Sequence, residues 1–129
     1  MLTEELLIVT NNPRVKEMTD FRHCWVEGEC REVIMQAYNF VAQGHQLISH
    51  PLAGSIKPNQ NPYKSILISR LSGEVDIAAL KLAENCLRKA EELMENKIPI
   101  DLNAAYGQDL QLVDQDLLLS ALQSIQEGR

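Results

Sequence analysis

Residues Leu6-Leu7-Ile8-Val9-Thr10 form an unbroken apolar, partly β-branched run that stops abruptly at Asn11-Asn12-Pro13. A run this short and continuous is the pattern of a strand buried on both faces. Such a strand needs a layer of helix above and below it. The stop is equally informative. Asn12 is a good N-cap and Pro13 a good first helical residue, so a short helix is expected directly afterwards, through about Asp20. A strand that feeds straight into a helix commits the chain to an α/β arrangement.

The remaining pattern extends that alternation. Residues 21–26 read as a second strand. Residues 28–43 read as a helix, because Cys30, Val33, Ile34, Ala37, Tyr38 and Val41 follow the i, i+3, i+4, i+7 rule. Glu29 and Glu32 suit its first turn, and Gly44 its left-handed stop. Leu47-Ile48-Ser49 reads as a third strand, residues 51–64 as a Pro-, Asn- and Gly-rich loop, and residues 65–69 as a fourth strand. Ser72 is placed to cap a helix over 73–96 whose inner face carries Leu80, Ala83, Leu87, Ala90 and Met94. Leu110 to Val113 reads as a segment pairing with a sheet edge, and Asp114 as the cap of a last helix containing Leu118, Ala121, Leu122 and Ile125. The expected architecture is a small single-domain α/β layered fold over residues 1–129. Its sheet is expected to be mostly parallel, of about four strands, flanked by helices with right-handed crossovers. Parallel strands would bring the segments after Thr10, Val26 and Ser49 to one edge, where α/β proteins usually bind ligands.

Composition narrows the classes of function. The 129 residues suit one domain, and 45% hydrophobic content supplies a core without metal or disulfide. With 12 Lys and Arg against 18 Asp and Glu, the net charge of −6 argues against a nucleic-acid coat or a polybasic membrane surface. No apolar run approaches membrane-spanning length, and Glu4 and Glu5 interrupt any signal-peptide pattern. Three cysteines without a CxxC motif suit a reducing cytoplasm. Cys30 and Cys86 fall on apolar helix faces, so a structural role is expected for them. The chain holds no GxSxG elbow, no Walker A sequence and no GxGxxG, and no cofactor is indicated.

The distribution of charge points to a place. Seven acids lie in residues 1–32 and 11 in residues 74–129, while residues 33–73 hold none. That acid-free window carries Lys57, Lys64 and Arg70 with His45 and His50. A cationic loop shaped by Gly and Pro on an acidic protein suggests a site for a small anionic group. The candidate ligand-binding residues are Asn11, Asn12, His45, His50, Ser55, Lys57, Tyr63 and Lys64. Each has a plain structural alternative. The asparagines are good cap and turn residues. His45 suits a helix C-terminus. His50 precedes Pro51 and is held extended. Tyr63 suits a core. His45 and His50 have no carboxylate or cysteine near them in sequence, so no metal site is expected.

The stretch Thr10-Asn11-Asn12-Pro13 and the pattern GHxLxxHPLxGSxKPxxxPYKS over residues 44–65 together resemble the GrdX family. Its members are small proteins encoded beside the glycine, sarcosine and betaine reductase components of anaerobic amino-acid-fermenting bacteria. The resemblance implies a cytoplasmic accessory of that system and supplies no catalytic residues. Three readings follow. The first is a domain that binds a small anionic ligand at the loop-rich edge. The second is a non-catalytic assembly or regulatory factor docking on a reductase component through the 51–64 loop. In the third, the loop serves only the fold, at a homodimer interface.

Overall fold

A computed structural model describes residues 3–52, 60–95 and 104–127, with backbone only at Ala104 and Ala105. After a 3-10 turn at Thr3–Glu5 come strand β1 (Leu6–Thr10), helix α1 (Pro13–Lys16), strand β2 (His23–Trp25) and helix α2 (Cys30–Ala42). Strands β3 (His45–Leu47) and β4 (Ser65–Ser72) follow, then helices α3 (Ile77–Glu95) and α4 (Ala104–Gln126). The four strands form one sheet in the order β2-β1-β4-β3.

The sheet is mixed, which corrects the expectation of a mostly parallel one. Only β1 and β2 are parallel neighbours. β4 lies antiparallel between β1 and β3. The physical reason is the connection before β4. Parallel neighbours need a crossover, usually helical, whereas a strand that pairs directly with the one before it runs back antiparallel. Because β4 opposes both β1 and β3, the strands β1, β2 and β3 still run in one direction. The chain therefore leaves Thr10, Trp25 and Leu47 at the same rim, and β4 begins there at Ser65.

Alternation along β1 and β4 divides the core in two. Val9, Ile66 and Ile68 face α2 and α3, against Val33, Ile34, Ala37 and Ala90. Leu6, Ile8 and Leu67 face the other way, against Val15 of α1 and Leu118 and Leu122 of α4. Each large aliphatic side chain so buried contributes about 1.5–3 kcal/mol relative to exposure. Both central strands are covered on both sides, as the uninterrupted apolar run of β1 requires.

Several local readings shift. α1 ends at Lys16, earlier than the expected Asp20. β3 spans His45–Leu47 with a register shift between those two residues, and it stops there because Ile48 and Ser49 share one acceptor, the Leu67 carbonyl, as the strand peels away. Asp76, not Ser72, caps α3, accepting the Ala79 N–H at 3.1 Å, while β4 continues through Ser72. The largest difference is at the end of the chain. Leu110 to Val113 is not a strand and Asp114 is not a cap, for both lie inside α4. Gly44 closes α2 at φ +102° with its backbone against that of Gly73, which donates to the Gly44 carbonyl at 2.9 Å. An L side chain has no room there, hence glycine.

Candidate functional site

The rim where β1 ends and β4 begins is held by polar side chains buried in the interior. Asn12 is fully buried and bonded through both side-chain atoms. Its Oδ1 accepts the Arg14 N–H at 3.0 Å, the expected N-cap. Its Nδ2 donates to the Gln111 carbonyl at 2.8 Å and to Asp114 Oδ2 at 2.9 Å, both on α4. Asp114 also accepts the Ser65 hydroxyl at 2.8 Å, and Ser65 Oγ lies 2.7 Å from Thr10 Oγ1. Thr10 Oγ1 in turn accepts the Asn12 N–H at 3.0 Å. The donors therefore order themselves. Ser65 gives its proton to Asp114, Thr10 gives its proton to Ser65, and the chain converges on one carboxylate.

Asn11 does the same work on the opposite flank. Its Nδ2 donates to the carbonyls of Pro62 at 2.8 Å and Gly28 at 2.9 Å, and its Oδ1 accepts the Lys64 N–H at 2.8 Å. Three backbone groups from two segments thus meet on one amide. Tyr63 accepts Gln111 Nε2 on its hydroxyl at 3.1 Å. Beside it, buried Asn61 donates to the Leu110 carbonyl at 3.0 Å and accepts the Tyr63 N–H at 2.9 Å. These residues fasten the 60–65 segment and α4 to the end of β1.

A cleft of about 30 Å³ opens where β3 peels from β4. Ser49 and His50 form one wall, Lys64 and Ser65 the second, and Asp114 with Leu117 of α4 the third. Ser49 Oγ accepts the Leu67 N–H at 2.8 Å and keeps its own hydrogen to donate. His50 Nδ1 accepts the Leu52 N–H at 3.0 Å, so the neutral ring carries its hydrogen on Nε2. Burial pushes the Asp114 carboxyl above its ordinary range, against the bonds from Asn12 and Ser65 and the charge of Lys64 that hold it down. Burial likewise pulls the Lys64 ammonium down, opposed by Cys30, Asp114 and Cys86. Alternation turns Lys64 with Ile66 and Ile68 toward the α2 and α3 face, and Ser65 with Leu67 toward α4. Lys64 and Asp114 therefore reach the rim from opposite sides of the sheet.

The candidate residues divide accordingly. His50, Lys64, Asn11, Asn12 and Tyr63 gather at the rim, but both asparagines and Tyr63 are engaged in holding the fold. His45 lies at the other end of the sheet, opposite Ser72, with Nδ1 donating to the Ser69 carbonyl at 2.8 Å and its ring edge-on to Phe40. The two histidines therefore do not converge. Ser55 and Lys57 lie outside the described residues. Sequence reasoning missed Ser49, Asn61, Ser65 and above all Asp114. The window that holds no acid in sequence meets one in space, because α4 delivers it.

A family model described as GrdX-like protein matches residues 7–123. The chain belongs to the GrdX-like protein family. That match takes in α4, and with it Asp114 and the cleft. The β1–β4 pairing sets Thr10, where the first stretch that carries the resemblance begins, opposite Ser65, where the second ends, in this GrdX-like chain. Neither the curated proteins nor the solved structures yield a match. Among the described residues, no helix is long and apolar enough to cross a membrane.

Proposed function

We propose that this GrdX-like protein is a cytoplasmic accessory of the glycine, sarcosine and betaine reductase system that holds a small ligand by its phosphate or carboxylate group at the rim cleft. The observation that supports this reading is the cleft's position and donors. It opens at the rim where three strands end together, and it is lined by Ser49 and His50, each with a hydrogen left to donate, and by Lys64. Its volume of about 30 Å³ suits one small polar group of a ligand whose remainder lies outside.

Thermal shift with inorganic phosphate and acetate tests the reading. Both should raise the melting temperature of the wild-type chain, less so for His50→Gln and undiminished for His45→Gln at the far end of the sheet. No shift with either anion at millimolar concentration would refute it.

The second reading, docking on a reductase component, is favoured by one observation. α4 leaves Tyr106, Leu112, Val113, Leu117 and Leu119 exposed, and Leu117 borders the cleft. Sedimentation with purified reductase components should show a complex that Val113→Glu with Leu117→Glu disrupts. Unchanged sedimentation in every mixture would dismiss it.

A further inference from the structure

Resting on the reading of the cleft as an anion site, we propose that the cleft takes its oxyanion together with one proton shared with Asp114. Oxyanions that can bring a hydrogen near neutrality, hydrogen phosphate and phosphate monoesters, are then preferred to sulfate, which has none to bring.

The argument starts from what the walls offer. The Ser49 hydroxyl and His50 Nε2 are donors, because Ser49 Oγ and His50 Nδ1 already accept backbone N–H groups. Asp114, only 5% exposed, is the acceptor among them. The Asn12 and Ser65 side chains both bond its Oδ2 and the Ser65 backbone also bonds the carboxylate, which leaves the carboxylate room to accept one further hydrogen bond. Two donors and one acceptor around a small cleft match an oxyanion bearing one hydroxyl. They do not match a fully ionised one.

Two negative oxygens brought together away from water cannot both stay ionised, and one proton settles between them. The charged and titratable neighbours of Asp114 do not remove that requirement. Lys64 is itself half-buried and turned toward the α2 and α3 face, across the sheet from Asp114. From α2, Cys30 carries no charge near neutrality, its thiol being pushed up to about 12 by burial. His50 stands in the opposite wall. From α1, Arg14 directs its Nε to Gln115 Oε1 at 3.1 Å. Phosphate supplies the proton itself, since its second ionisation falls near pH 6–7, whereas sulfate has none to supply.

Isothermal titration of the full chain with inorganic phosphate and with sulfate, at mildly acidic pH and in buffers of different ionisation heat, tests this. Phosphate should bind at least about tenfold more tightly than sulfate, and any sulfate that binds should draw about one proton from the buffer. Asp114→Asn, which offers an amide donor at the same place, should bring the two anions within about threefold of each other. Equal affinities in the wild type without proton uptake overturn the shared proton and leave the anion site standing. Absence of binding by both anions, in wild type and variant alike, overturns the anion site as well. Should Asp114→Asn not fold, the wild-type ratio and proton count decide alone.

Discussion

Replacing Asn12 with alanine removes the side chain through which α1, β1 and α4 are joined. The structure allows the cost to be assembled. Loss of the N-cap bond to Arg14 costs about 1 kcal/mol. Loss of the bond to the buried Asp114 carboxylate costs about 1.5–3 kcal/mol, and that to the Gln111 carbonyl up to about 1 kcal/mol. The total of about 2.5–5 kcal/mol is a large share of the stability of a domain this size. Urea unfolding followed by far-UV circular dichroism should show the midpoint falling by about 2 M.

The loss also carries a pH signature. Burial raises the Asp114 carboxyl in the folded protein above its ordinary 3.8, so ionised Asp114 opposes folding. That opposition is complete above the raised folded value and is relieved as pH falls from it toward 3.8. The Asn12 bond favours the ionised form, so its removal matters most when Asp114 is charged. The cost of Asn12→Ala should therefore shrink by about 1–2 kcal/mol on moving from neutrality into that acid window. A loss under about 1 kcal/mol at neutrality, or one that is flat with pH, would show that the buried network is not what fastens α4.

Two further outcomes follow from the packing. Gly44→Ala should cost about 2–3 kcal/mol or more in the same urea assay, because its φ of +102° and the Gly73 backbone leave no place for Cβ, whereas Gly73→Ala meets nothing and should stay within about 0.5 kcal/mol. Burial raises all three thiols, so Ellman's reagent near neutrality should label half-buried Cys24 first and slowly, and reach Cys30 and Cys86 only on unfolding; prompt reaction of Cys30 would contradict its buried environment.

Much of the layering was legible in the sequence. The β1 run, the Asn12-Pro13 helix start, the α2 stripe and the stop at Gly44 all depend on local chemistry, and local chemistry is what a sequence displays. Strand order is different. Nothing in Ser65 to Ser72 states that it must lie between β1 and β3, because both of its faces are apolar and both edges are satisfied equally well by either neighbour. α4 was misread for a related reason. Leu112, Val113, Leu117 and Leu119 make it apolar on its outer sides as well as its inner one, which blurs the helical period and lets Leu110 to Val113 pass for a strand. A signal for Asp114 was nonetheless present. It occupies one step of the ladder Leu110, Asp114, Leu118, Leu122, an acid spaced four residues from leucines on either side. Such a position on a helix is buried, and a buried acid demands partners.

The pairing at the centre of the sheet has a consequence for biosynthesis. β1 leaves the ribosome early, apolar on both faces, while its antiparallel neighbour is completed only at Ser72. Until then one edge of β1 has no strand to join, and the α4 carboxylate that ties down the rim emerges later still. Nascent chains arrested between those points should thus be the species that chaperones retain and that aggregates recruit, while full-length chains close the sheet from its middle outward.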